Sequence, residues 1–169
     1  VFQPGGMGIN FVKQWNQGGM NDLSKLYTVF TVDAVSLPAL KDTALGVIAT
    51  QTWSPDLDNP MNQKFVADYK AKYGGYPSFY AAQAYDTMMA IDYAIGKAGS
   101  ADTEAMRAVL AGGGIPTTRG ILQMNSNQFP IQNVYLREVV LDSDGVATTK
   151  IIDTVFENHG DAYAKDCKF

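Results

Sequence analysis

Residues 65–99, FVADYKAKYGGYPSFYAAQAYDTMMAIDYAIGKAG, constrain this chain more than any other stretch. They read as the end of one helix, a Gly74-Gly75 turn with Pro77, and a long aromatic-rich helix closing at Gly96-Lys97-Ala98-Gly99. A further helix over residues 103–110 follows, with Glu104 near the positive end of its dipole. Helices thus run in succession with no strand between them, which is awkward for one simple doubly wound domain.

The flanks alternate more regularly. Residues 1–3 read as a strand end, Pro4-Gly5-Gly6-Met7-Gly8 as a loop, and residues 9–17 as a helix carrying Phe11, Val12 and Trp15 on one face. Residues 25–31 (KLYTVFT) and 46–53 (GVIATQTW) are rich in β-branched and aromatic residues and predict strands. A short helix is expected over 36–42, with Ser36 as its cap and Pro38 in its first turn. The next helix opens at Asn59-Pro60 and covers 61–73, with Phe65, Val66, Tyr69 and Tyr73 as its apolar face. On the long helix over 78–97, the spacing of Ala84, Met88, Ile91 and Ile95 predicts a buried stripe. Strands are expected at 120–124, 133–142 and 146–152, the last two joined by Asp142-Ser143-Asp144-Gly145.

The 169 residues suffice for an ordinary domain, and 46% apolar with 18% charged residues fits a folded globular chain. A net charge of -4 with scattered lysines argues against a nucleic-acid backbone as partner. No apolar run approaches the roughly 20 residues of a membrane span. Val1 follows no Met, and VFQPGG reads like a buried strand running into a loop, so the expectation is a chain that begins inside its fold.

Residues suited to catalysis are scarce. His159, the single histidine, lies in Glu157-Asn158-His159-Gly160 and reads as a solvated turn residue. Cys167, beside Lys165 and Lys168, reads as a frayed terminal thiol. The loop acids Asp56 and Asp58 lack the Gly and distal Glu of a calcium loop. Gly5-Gly6-Met7-Gly8 lacks the spacing of a phosphate cradle, although a helix start at a strand's C-terminal end suits a carboxylate. No metal site, cofactor site or catalytic set is expected.

In this order and spacing, GVIATQTW, KYGGYPS, AAQAYDTMMAIDYAIGKAGS and TEAMRAVLAG resemble the type I periplasmic solute-binding proteins of ABC importers, the leucine/isoleucine/valine-binding family. The resemblance runs through nearly the whole chain. It implies an α/β, Rossmann-like periplasmic-binding-protein type I fold, here only its C-terminal portion. Ligand would sit in a cleft between two lobes that close by a hinge. On that plan residues 1–53 belong to the second lobe, 54–132 return to the first, and 133–169 return to the second. The successive helices would then cover a first-lobe sheet whose strands lie upstream.

The resemblance further implies an extracytoplasmic location and non-catalytic capture of a small solute, such as an amino acid or an aromatic or other small carboxylate. The membrane subunits of an importer would be partners. Carried over by position, ligand contacts fall on Gln3, Pro4 and Gly5, on Phe30 and Thr31, and on Trp53, Phe79 and Tyr80. Amino-acid-binding members place an acid after the strand that ends at Phe30; here Thr31 stands there, with Asp33 two residues on. The competing readings are a ligand-sensing regulator or receptor domain of the same fold, and a small α/β enzyme.

With first-lobe strands absent, Phe65, Tyr69, Met88 and Ile91 would lack a covering partner. Burial of such a side chain contributes about 1.5–3 kcal/mol, so the 169-residue chain is expected to swap or dimerise and to bind ligand weakly. Light scattering checks this, and a clean monomer contradicts it.

Overall fold

The computed structural model describes residues 1–167; the expected segment 133–169 is followed no further than Cys167, with Lys168 and Phe169 outside the described residues. The order is α1 (Gly6–Gln17), β1 (Tyr27–Val29), α2 (Leu37–Leu40), β2 (Ile48–Gln51), α3 (Pro60–Tyr73), α4 (Phe79–Ala98), α5 (Thr103–Ala111), β3 (Ile115–Thr117), β4 (Gly120–Met124), β5 (Pro130–Leu141) and β6 (Ala147–His159).

The strands form one mixed sheet in the order β1-β2-β5-β4-β3, with β6 on the other side of β5. β1 and β2 are parallel, and every other pairing is antiparallel. β5 joins the pieces. Its residues 135–138 pair with β2, Pro130 and Ile131 pair with β4, and most of its length pairs with β6. The parallel pair is linked through α2, as a crossover requires.

Local chemistry accounts for the helix ends. The Asn59 side chain accepts from the Asn62 amide at 2.9 Å, and Pro60 takes the first helical position of α3. Gly74 ends that helix in the left-handed region at φ 74°. Ser78 caps α4 through the Ala81 amide at 3.2 Å, and Asp102 caps α5 through the Ala105 amide at 2.9 Å. Ser36 does not act as the expected cap. Its hydroxyl accepts from the Asp33 amide and donates to the Thr31 carbonyl instead, and the following helix stops after Leu40 in a 3-10 turn.

Two buried clusters sit on the sheet. One gathers Val12, Leu26, Val32, Leu37, Leu40, Val47 and Val139; the other gathers Trp53, Leu57, Phe65, Phe79, Ala82 and Tyr135. The stripe expected to be buried on the long helix faces out instead. Met88 is 64% exposed, and Ala84, Ile91 and Ile95 also face out, while Phe79, Ala82, Asp86 and Ala94 are the buried positions of α4. Phe65 is covered by Trp53 and Tyr85 rather than left bare, and Tyr73 is exposed rather than part of the buried face. Residues 1–3 are not a regular strand, yet they run along β1: Val1 donates to the Tyr27 carbonyl at 2.8 Å and accepts from the Val29 amide at 2.8 Å. The last strand runs seven residues beyond the expected 152, to His159, which stacks on Phe156 at 4.9 Å instead of lying in a turn.

One polar knot fixes α4 to the β3–β4 hairpin. Buried Asp86 accepts from the Thr118 amide at 2.6 Å, the Thr118 hydroxyl at 3.1 Å and Arg119 Nε at 3.1 Å. Asn59 reaches the same turn by donating to the Thr118 carbonyl at 2.6 Å. Asp86→Ala strands Arg119 and the Thr118 amide in a shielded site. It is expected to cost about 3–5 kcal/mol, read as a lower urea midpoint at unchanged m-value.

Candidate functional site

The residues expected to contact ligand come from four places in the chain, the fourth being Trp53, after β2. Gln3, Pro4 and Gly5 lead into α1, Phe30, Thr31 and Asp33 follow β1, and Phe79 and Tyr80 open α4. β1 and β2 are parallel, so the first two groups lie outside the carboxyl end of the parallel pair, where open α/β sheets present their binding crevice.

The first two groups are held together closely. The Gln3 amide donates to the Thr31 hydroxyl at 3.1 Å, and that hydroxyl donates to the Val29 carbonyl at 3.0 Å. Thr31 is buried, so its hydroxyl serves the backbone of this corner. Gly8, in the first turn of α1, lies against both: a Cβ there would overlap the Gln3 carbonyl oxygen and stand 2.6 Å from the Thr31 methyl. Pro4 and Gly5 are exposed, and no side chain caps the start of α1.

Phe30 brings the third group in. Its φ of 51° lies in the left-handed region, a conformation that costs of order 1–3 kcal/mol for such a residue. The ring meets Phe79 edge-on at 5.2 Å and Phe2 edge-on at 6.5 Å, and Phe79 continues to Tyr80 at 4.7 Å. Phe79 is buried, while Phe2 and Tyr80 at the two ends are 65% and 54% exposed, so the row reaches solvent at both ends. Trp53 stands apart. It is buried with Phe65, and its Nε1 donates to Asn62 Oδ1 at 2.8 Å. The Asn62 amide nitrogen in turn donates to the carbonyls of Ser54, Pro55 and Leu57, which fixes the strand-to-helix bend after β2.

Asp33 is engaged as well. Its Oδ1 accepts from the Val35 amide at 2.9 Å, and Arg137 of β5 lies beneath the same loop. The Arg137 guanidinium is 1% exposed, donating to the Thr149 hydroxyl at 3.2 Å and, at a long 3.5 Å, to the Val32 carbonyl. Burial pushes its pKa down to about 10, against the opposing charges of Asp33 and Asp56, so it stays protonated at neutral pH. A water-sized void of about 10 Å³ is lined by Asp33, Trp53, Tyr76, Pro77, Arg137 and Thr149.

Sequence reasoning passed over Arg137 and Asp86. A signal existed for both: Arg137 stands midway between buried Tyr135 and Val139 on the same strand face, and Asp86 stands four residues after buried Ala82. The larger hollows lie away from the aromatic row. One of about 600 Å³ lies between α2, the end of α3 and the β5–β6 turn, and one of about 580 Å³ between α3 and the β5–β6 hairpin. Their shared wall is a contact in which Tyr76 donates to Asp142 at 2.8 Å, with Lys70 over the Tyr76 ring at 4.1 Å. Among the described residues no group of three or more His, Cys, Asp and Glu side chains is placed to hold a metal ion, and no helix is long and apolar enough to cross a membrane.

A parallel pair with helices and with side chains from distant segments gathered at its carboxyl end is an α/β arrangement. Residues 1–145 match the periplasmic binding protein family, and the chain belongs to it. It is 38% identical over 130 residues to the Leu/Ile/Val-binding protein homolog 6 of Brucella abortus, a match covering 74% of this chain and 33% of the relative. A solute binding protein of an ABC transporter from Rhodopseudomonas palustris BisB5, solved with 3,4-dihydroxybenzoic acid, superimposes with a TM-score of 0.83 at 31% identity, over 96% of this chain and 45% of that one. Another from R. palustris, solved with benzoate, gives 0.82 at 26% identity, over 100% and 46%. The chain therefore spans about a third of the length of its curated relatives and under half of the solved proteins.

Gly8→Ala forces α1 away from the Gln3–Thr31 corner. The expected loss is about 1–3 kcal/mol, as for other overpacked sites, and thermal melting measures it. A displaced Gln3 amide resonance in the NMR spectrum marks the broken bond to Thr31.

Proposed function

We propose that this chain is part of a non-catalytic receptor that captures a small carboxylate-bearing solute, with an aromatic acid as the favoured class, for delivery to the membrane subunits of an ABC importer. The ligand cleft lies between residues 1–53 with 133–169 on one side and 54–132 on the other. The observation that carries this reading is the Phe30–Phe79 contact, in which a residue just past β1 meets the first turn of α4. The first core cluster draws only on residues of 1–53 and 133–169, while the second joins Trp53 and Tyr135 of that body to Leu57, Phe65, Phe79 and Ala82 of the other, as a seam between the two does.

The chemistry of the row favours an aromatic acid over an amino acid. Edge-on aromatic pairs contribute about 0.5–1.5 kcal/mol beyond area burial, and a ligand ring can enter the same geometry. An ammonium group needs a negative field, and that of Asp33 is offset by the Val35 amide it accepts from and by the nearby charge of Arg137. The solved relatives that hold benzoate and 3,4-dihydroxybenzoic acid point the same way. Receptors of this kind work outside the cytoplasm, and neither a cofactor nor a catalytic group has a part here. The exposed Met88, Ile91 and Ile95 of α4 support self-association of the 169-residue chain.

Calorimetric titration of the natural protein that contains this sequence tests the reading, with benzoate, 4-hydroxybenzoate and leucine compared. The aromatic acids are expected to bind more tightly, and Phe30→Ala to weaken them about tenfold, the equivalent of about 1.4 kcal/mol. Leucine binding more tightly than either acid overturns the aromatic-acid assignment.

A further inference from the structure

We propose that Arg137 is a positioning residue for ligand capture, holding the loop of residues 30–36 in its binding-ready shape from its place on β5; this rests on the reading that Phe30 meets the ligand. Arg137 touches no part of the aromatic row itself. One terminal nitrogen of its guanidinium reaches the loop at the Val32 carbonyl and the other donates to Thr149 of β6, while the charge of Asp33 acts on it through space.

The loop has reason to need such a hold. It contains a left-handed Phe30, whose conformation persists only when the surroundings over-determine it. Its internal bonds form a closed ring: the Ser36 hydroxyl donates to the Thr31 carbonyl at 3.2 Å and accepts from the Asp33 amide at 3.1 Å, and the Ser36 and Leu37 amides return to the Asp33 carbonyl. That ring sets the shape of the loop but not its attachment to the sheet. Val32, buried against the first core cluster, and Arg137 beneath it supply the attachment.

A buried guanidinium is an expensive anchor, and an apolar side chain on β5 would stabilise the sheet at least as well. What the charge adds is direction. Asp33 lies before the bend at Trp53 and Asp56 after it, and Arg137 answers both. Asp56 is itself tied to β6 by accepting from the Ile151 amide at 2.9 Å. The water-sized void lined by Asp33, Trp53, Tyr76 and Arg137 lies at the junction of the same segments. The Nε of Arg137, which has no hydrogen-bond partner among the described residues, belongs to this junction.

Hydrogen exchange of the natural protein, free and with 4-hydroxybenzoate, tests the assignment in Arg137→Lys and Asp33→Asn variants. The Lys variant keeps the charge and loses the planar fork. The Asn variant keeps the acceptor for Val35 and loses only the charge facing Arg137, so it retains the fold if the Lys variant does not. The expected result is at least tenfold faster exchange at the Asp33, Ser36 and Leu37 amides, with Ile48 and Val139 unchanged, and at least tenfold weaker ligand binding. Faster exchange spread evenly over the sheet makes Arg137 a core residue only and overturns the proposal, as does unchanged exchange in the loop. If the unsubstituted protein binds no aromatic acid, the functional reading fails, and the free-protein exchange still decides whether Arg137 holds the loop.

Discussion

β5 is the strand on which everything else depends. It is hydrogen-bonded to β2 over residues 135–138, to β4 at its start and to β6 along most of its length. Removal of any one neighbour would leave a sheet, but without β5 the parallel pair and the β3–β4 hairpin would share no ladder. Register slips are strongly opposed because β5 alternates faces, so a one-residue shift would turn Tyr135, Arg137 and Val139 outward together. The irregularities between β5 and β6, near Gln132 to Arg137, add local twist at the stretch that also carries Arg137. The strand that organises the fold and the charge beneath the loop are therefore one element.

The aromatic row and the polar groups around it divide the work differently. Thr31, Asp33 and Ser36 spend their hydrogen bonds on one another and on backbone, so they shape the corner without engaging the rings beside it. Trp53 and Asn62 do the same at the bend after β2. Buried polar groups satisfied in this manner make a corner stiff, because loosening any of them leaves a donor or acceptor unpaired. A stiff corner suits recognition of a small rigid molecule, since little ordering remains to be done on binding.

Much of this was legible in the sequence. Gly74, Ser78, Gly99 and Asn59 marked their helix ends correctly because capping is local chemistry, decided by residues within a few positions. The family was legible for a related reason, since its ordered segments survive as text. The exposed stripe on α4 was not legible: apolar spacing reports which face could be buried, while coverage depends on what other elements supply. The same holds for Ser36, whose capping geometry looked right locally but whose hydroxyl was drawn to Thr31 and Asp33 by the tertiary path of the loop. Of the site, position along the chain put Phe30 and Phe79 near one another by family plan, and the structure adds their edge-on contact. Arg137 needed the strand's period-two pattern to be read as burial rather than as a surface charge.

The left-handed backbone at Phe30 also limits how this corner can evolve. Valine, isoleucine and threonine clash with their own backbone in that region far more than unbranched side chains do. Glycine and asparagine would relax the backbone and give up the ring. On the proposed reading of the aromatic row, a lineage altering the solute range through this position has few single steps open to it, and substitutions in ordinary helical backbone at Phe79 or Tyr80 offer the easier route.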